Sequence, residues 1–112
     1  MAYPNFQLFR SDSNGEYYFR LNAVNGQTIL QSEGYTTVAA CQNGIESVKV
    51  NSGLLEQYDK KRSKDGQYYF NLTARNGQVI GVSEMYTTNS ACDNGIEAVM
   101  RDAPRAQVEV EN

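Results

Sequence analysis

Two cysteines, Cys41 and Cys92, and two glutamates, Glu33 and Glu84, are the residues best suited by type to covalent or proton-transfer chemistry. Each pair is separated by the same 51 positions. A thiol acts as nucleophile or redox centre only as thiolate, which needs a neighbouring cation or a helix N-terminus. Neither cysteine has an obvious adjacent cation, and both fall mid-helix within apolar stripes. Buried structural thiols are therefore expected; a redox pair is the alternative, and the distance between them stays open. Glu33 and Glu84 recur in SEGYTT and SEMYTT, just before predicted helices. Acid–base catalysis requires a partner within reach, and the sequence establishes none. A structural carboxylate is expected instead, bonded to the N–H groups of a helix start or paired with a lysine or arginine. The chain has no histidine, which removes His-based general bases, Ser–His and Cys–His nucleophiles and ordinary His metal sites. It also lacks the glycine-rich phosphate-binding patterns. No catalytic residue, cofactor or metal is expected.

Residues suited to binding are easier to find. Tyr18, Arg20 and Asn22 alternate along one strand, and Tyr69, Asn71 and Thr73 along its repeat. Tyrosines beside polar groups on an exposed sheet face can stack a ligand or dock a protein. Nearby in sequence lies the basic run Lys60, Lys61 and Arg62, followed by Lys64, with Asp59 and Asp65 flanking it. Two readings follow. One is a non-catalytic interaction or ligand-binding module that uses the outer sheet face for a protein or small ligand. The other is weak single-stranded nucleic-acid binding through the basic run and the exposed tyrosines. The net charge of −3 disfavours a general polyanion binder, although a local basic patch remains compatible with it.

These residues are positioned by a duplication. Gly15 to Lys49 reads GEYYFRLNAVNGQTILQSEGYTTVAACQNGIESVK, and Gly66 to Met100 reads GQYYFNLTARNGQVIGVSEMYTTNSACDNGIEAVM. An ungapped match of that length marks an internal repeat. Repeats of about fifty residues are marginal alone, so a single compact domain over 1–112 is expected, with repeats at 5–56 and 57–112.

Within each repeat the period sets the elements. Asn5 to Ser11 reads as a strand, although Phe9 interrupts its alternation. Tyr17, Phe19, Leu21 and Ala23 share one face of the next strand, and Asn25-Gly26 predicts a type I′ hairpin turn. Gln27 to Ser32 returns with Ile29 inward. A helix from Tyr35-Thr36-Thr37 to about Val50 follows, capped by a threonine. Its apolar arc is Ala40, Cys41, Gly44, Ile45 and Val48, repeated from about Thr88 to Asp102 by Ala91, Cys92, Gly95, Ile96 and Val99. The glycines in these arcs predict close approach of helix to sheet. Leu54 to Glu56 and Ala106 to Glu111 are read as last strands. The fold expected is α+β: two tandem β-β-β-α-β repeats forming one antiparallel sheet, two helices on one face, last strands exchanged across a pseudo-twofold.

The pattern Y-Y-F-x-L-x-A-x-N-G-Q-x-I, then S-E-x-Y-T-T and C-x-N-G-I-E, occurs at Tyr17 to Ile29 with Ser32 to Glu46. It returns at Tyr68 to Ile80 with Ser83 to Glu97. It resembles the YegP-like family of small bacterial proteins of unknown function, in tandem-repeat form. The resemblance implies a pseudo-dimer with exchanged C-terminal strands, and it supplies no catalytic residue, cofactor or ligand. In the second copy Lys60 stands where the first has Leu8, so a more polar opening strand is expected. No apolar run approaches the length of a membrane helix, and Met1-Ala2-Tyr3-Pro4 lacks a secretory pattern. Two cysteines make no disulfide framework. A cytoplasmic monomer is expected.

Overall fold

The computed structural model describes residues 3–111. Met1 and Ala2, which open the stretch read above as lacking a secretory pattern, lie outside them, as does Asn112. Strands β1 (Asn5–Arg10), β2 (Tyr17–Asn22) and β3 (Thr28–Gln31) precede helix α1 (Val38–Asn51). The second repeat supplies β4 (Tyr58–Arg62), β5 (Tyr68–Thr73), β6 (Val79–Val82), α2 (Asn89–Asp102) and a final β7 (Gln107–Val110). The seven strands form one sheet in the order β4-β5-β6-β3-β2-β1-β7. β3 and β6 meet antiparallel at Gln31 and Val82, so the pseudo-twofold passes between them.

Two expectations are corrected here. The sheet is mixed, because β7 runs parallel to β1 while the other neighbours are antiparallel. Only one last strand is exchanged. β7 crosses to the opposite repeat, but Leu55–Gln57, where the first repeat's last strand was expected, forms a 3-10 turn that runs straight into β4. The reason is topological. A strand beside β4 and parallel to it would need a crossover of about a dozen residues, and only residues 52–57 separate α1 from β4.

The alternation does what its period demands. Phe6, Leu8, Phe19, Leu21, Phe70 and Leu72 are fully buried on one sheet face, with Cys41, Ile45, Val48, Cys92, Ile96 and Val99 of the helices in the same cluster. α1 packs on β1 and β2 but also on β5 and β6, and α2 packs on β3 as well as β5. The core is therefore shared by both repeats. Asn51 and Asp102 extend the buried stripes with polar side chains. The Asp102 carboxylate, fully buried, accepts from Arg101 Nε at 3.0 Å and Arg105 Nη2 at 3.3 Å.

Thr37 and Thr88 cap the helices, each hydroxyl accepting the N–H three residues on (Ala40, Ala91) at 3.0 Å. The hairpin turns differ from expectation. In each Asn-Gly pair only the glycine adopts positive φ, Gly26 at 87° and Gly77 at 86°, while Asn25 and Asn76 stay negative. The Gly26 N–H donates to the Ala23 carbonyl at 2.8 Å, giving a type I turn followed by a glycine bulge rather than type I′. Each asparagine side chain is then free to accept from the N–H two residues on, Gln27 at 2.9 Å and Gln78 at 3.0 Å.

The helix glycines do mark close approach, and the closest neighbours are tyrosines. A Cβ at Gly44 would lie 2.7 Å from Tyr35 Cζ and 3.1 Å from Phe19 Cε2; at Gly95 it would lie 2.6 Å from Tyr86 Cζ. Helix propensity alone predicts that Gly44→Ala gains about 1 kcal/mol. The steric contact predicts the opposite sign, a loss of about 1–3 kcal/mol, read as a lower urea midpoint. Gly95→Ala should behave alike.

Candidate functional site

Among the described residues, no helix lies on the face opposite α1 and α2. Pairing defines a continuous rung across all seven strands: Glu109, Gln7, Arg20, Gln31, Val82, Asn71 and Asp59. Side chains on neighbouring strands that share a rung also share a face, so Arg20 and Asn71 lie on one band of the outer surface. The expected site residues Tyr18 and Asn22 flank Arg20 on that face, and Tyr69 flanks Asn71.

The first repeat's half of this surface is the more organised. Phe9 and Tyr18 stack with ring centroids 6.0 Å apart and planes at 22°, and the Arg20 guanidinium sits 4.3 Å from the Phe9 centroid. Asn14 Nδ2 donates to the Tyr18 hydroxyl at 2.9 Å. Asn22 donates to Gln7 at 3.2 Å and accepts from the Thr28 hydroxyl at 2.9 Å. Asn5 donates to Glu109 and Gln7 donates to Glu111, tying the exchanged strand into the same surface. Phe9 was missed as a site residue. Its signal was the break in alternation after Leu8, since an aromatic out of phase with the core belongs to the other face.

Tyr18 and Tyr69 do not converge. They start antiparallel strands three strand spacings apart, which puts them about 20 Å from each other on opposite sides of the central rung. Nor does the basic run stay together. Lys61 pairs with Tyr69 in register and lies on the outer face, with its Nζ 3.2 Å from Asp59. Lys60 and Arg62 alternate to the helix side: Lys60 Nζ reaches Asp93 of α2 at 2.7 Å, and the Arg62 guanidinium lies 5.2 Å from the Tyr68 ring centroid. The polar opening strand expected of the second repeat is what β4 shows, exposed from Asp59 to Arg62.

The candidates for chemistry resolve quietly. Cys41 and Cys92 are buried free thiols. Burial pushes the Cys41 thiol up to about 11, and burial likewise raises Cys92 despite Lys60 nearby. Both are protonated and unreactive at neutral pH. Burial is also the main cause that raises Tyr35 and Tyr86, followed by the adjacent cysteine and then Glu33 or Glu84. The glutamates do not cap the helices as expected. Among the described residues it is their backbone carbonyls that are engaged, accepting from the Ser32 and Ser83 hydroxyls at 2.8 Å. Each serine also receives the Phe19 or Phe70 N–H at 2.9 Å, so these turns fix the strand-to-helix corner. Among the described residues no cluster of three or more His, Cys, Asp or Glu could hold a metal ion. Among the same residues no helix is long and apolar enough to cross a membrane.

Comparison with known proteins agrees with this arrangement. The family model described as a domain of unknown function (DUF1508) matches twice, at residues 12–59 and 63–109. A UPF0339 protein of Stutzerimonas stutzeri, named for its place in the ptx operon 5′ region, is 46% identical over 103 residues, covering 92% of each chain. The UPF0339 protein YegP of Yersinia pestis is 44% identical over 102 residues, covering 91% of this chain and 90% of that one. The solution NMR structure of yegP from E. coli, a protein of unknown function, superposes with a TM-score of 0.91 at 39% identity, covering 99% and 95% of the two chains. That of a UPF0339 protein from Shewanella oneidensis gives 0.89 at 41% identity, with 98% and 92% covered. With two matched domains, close relatives along nearly its whole length and the same fold, this chain belongs to the UPF0339/YegP family of bacterial proteins of unknown function.

Proposed function

We propose that the chain is a non-catalytic interaction module of the cytoplasm, monomeric, that docks a protein or small ligand on its outer sheet face. The observation that carries this reading is the preassembled Phe9–Tyr18–Arg20 cluster on a face that no helix of the described residues covers. Aromatic and arginine side chains held in place before binding lose little conformational freedom on contact, which is what concentrates binding energy at such groups.

The test is affinity capture with the wild-type chain and with Tyr18→Ala, Arg20→Ala and Tyr69→Ala. Partners lost from Tyr18→Ala and Arg20→Ala but kept by Tyr69→Ala support docking on the first repeat's half. Retention by all three variants would remove the outer face from consideration. The nucleic-acid alternative draws support only from Lys61 beside Tyr69. It requires binding of a single strand that weakens steeply with salt and is lost when Lys60, Lys61 and Arg62 are neutralised together.

A further inference from the structure

β1 and β4 are pseudo-symmetry counterparts, and only β1 has a further strand on its outer side. At one edge β1 receives β7, with the Gln107 N–H donating to the Pro4 carbonyl at 3.2 Å and the Glu111 N–H to the Leu8 carbonyl at 2.7 Å. At the other edge β4 holds the place of β1. Phe6 opposes Leu21 and Leu8 opposes Phe19, as Tyr58 opposes Leu72 and Lys60 opposes Phe70. The counterpart of the Leu8 carbonyl is thus that of Lys60. The Phe70 N–H and carbonyl bond to Ser83 on the opposite side, so the backbone groups of Lys60 point outward, away from β5.

The space beside that edge is also the counterpart of an occupied one. Val108 of β7, with Ile45 and Glu46 of α1, lines a cleft of about 320 Å³ that remains beside it. The corresponding cleft against α2 measures about 520 Å³ and is lined by Leu55, Tyr58, Ile96 and Met100, with Glu97 and the paired Lys60 and Asp93. Leu55 is 63% exposed there. From this we infer that the outer edge of β4 is a docking slot for an extended segment of a partner protein, which adds to the sheet parallel to β4 as β7 adds to β1.

Charge specifies the occupant. A parallel strand places its apolar, alternate residues against Tyr58 and Ile96 and its C-terminal end beside Lys61 and Arg62, so acidic residues belong at that end. A second copy offering its own β4 sets Lys60, Lys61 and Arg62 against themselves, which opposes edge-to-edge pairing. A second copy offering β7 fits poorly too. In the register seen at β1 its Glu109, which faces Gln7 there, would face Asp59, the counterpart of Gln7. An apolar-then-acidic strand from another protein has neither conflict.

The test uses the full chain and a fluorescent peptide of sequence Thr-Val-Thr-Val-Thr-Glu-Glu, followed by anisotropy and by amide shifts. Lys60→Ala removes the side chain and its pairing with Asp93 but keeps the outward N–H. Lys60→Pro removes the N–H as well, at an edge position where the ladder to β5 does not need it. Binding of the peptide with shifts confined to β4, Leu55 and α2 is expected. Lys60→Pro should weaken it at least about tenfold relative to Lys60→Ala, with the far-ultraviolet spectrum unchanged. The double reversal Lys61→Glu with Arg62→Glu should move preference to the peptide ending in two lysines. Equal affinity of the proline and alanine variants, shifts on the outer face, self-association through β4, or no binding up to about 1 mM would each overturn the assignment. Because these residues are distinct from Tyr18 and Arg20, failure here leaves the outer-face reading standing or falling on its own variants.

Discussion

Cut at Gln57, the chain is expected to give two fragments that lack cooperative unfolding when studied separately and regain it when mixed. Each fragment alone has about fifty residues, a size at which a core is marginal. The cut also divides contacts that no single half can replace. α1 loses β5 and β6, α2 loses β3, β1 loses β7, and Leu30, fully buried at the junction, faces water. Each large apolar side chain left bare forfeits about 1.5–3 kcal/mol, so a few of them match the whole stability of a small domain, about 5–15 kcal/mol. The measurement is urea unfolding by circular dichroism together with amide dispersion, first on each fragment and then on the equimolar mixture. A sharp transition in either fragment alone would refute the shared core. Homodimers of one fragment are not expected to substitute, for a reason that lies at the pseudo-twofold itself and is argued last.

Much of this organisation was legible because it is periodic. Tyr17, Phe19 and Leu21 declare a strand face by alternation alone, and Cys41, Gly44, Ile45 and Val48 declare a helix stripe by 3.6-residue spacing. Thr37 and Thr88 announced the caps by type. The misses share a physical cause, which is that they depend on chain connectivity or on backbone angles rather than on side-chain period. Asn25-Gly26 satisfies the composition of two turn types, and the choice fell to Asn25 keeping a negative φ while Gly26 took the bulge. Leu54 to Glu56 has the composition of a short strand, but residues 52–57 cannot carry the chain across to a parallel position outside β4. At the candidate site, alternation correctly assigned Tyr18, Arg20 and Asn22 to one face. The same rule, applied to Lys60, Lys61 and Arg62, would have shown that a contiguous run on a strand is divided between two faces. Reading the run as one patch treated sequence adjacency as spatial adjacency.

The pseudo-twofold predicts its own exception. Related side chains near the axis compete for one volume, and here Leu30 fills it while its counterpart is Gly81. A Cβ on Gly81 would lie 2.6 Å from Leu30 Cδ2 and 2.7 Å from Leu30 Cγ, against the branched end of a fully buried side chain. Gly81 does not have a positive φ, so its glycine is demanded by space and not by backbone conformation. Gly81→Ala should therefore destabilise by about 1–3 kcal/mol, and Gly81→Leu by more, since a second leucine has no room. Leu30→Gly should cost at least the 2–5 kcal/mol or so typical of emptying a buried leucine site. The exchanged variant, Leu30→Gly with Gly81→Leu, moves the same side chain to the other side of the axis. It should be more stable than either single variant, with a coupling energy of about 0.5–3 kcal/mol in a double-mutant cycle by urea denaturation. Additive losses would show that the two positions do not share the volume. The same competition answers the homodimer question: two first repeats would set Leu30 against Leu30, and two second repeats would set Gly81 against Gly81. One junction is overfilled and the other hollow, so the two halves of this chain are specified for each other.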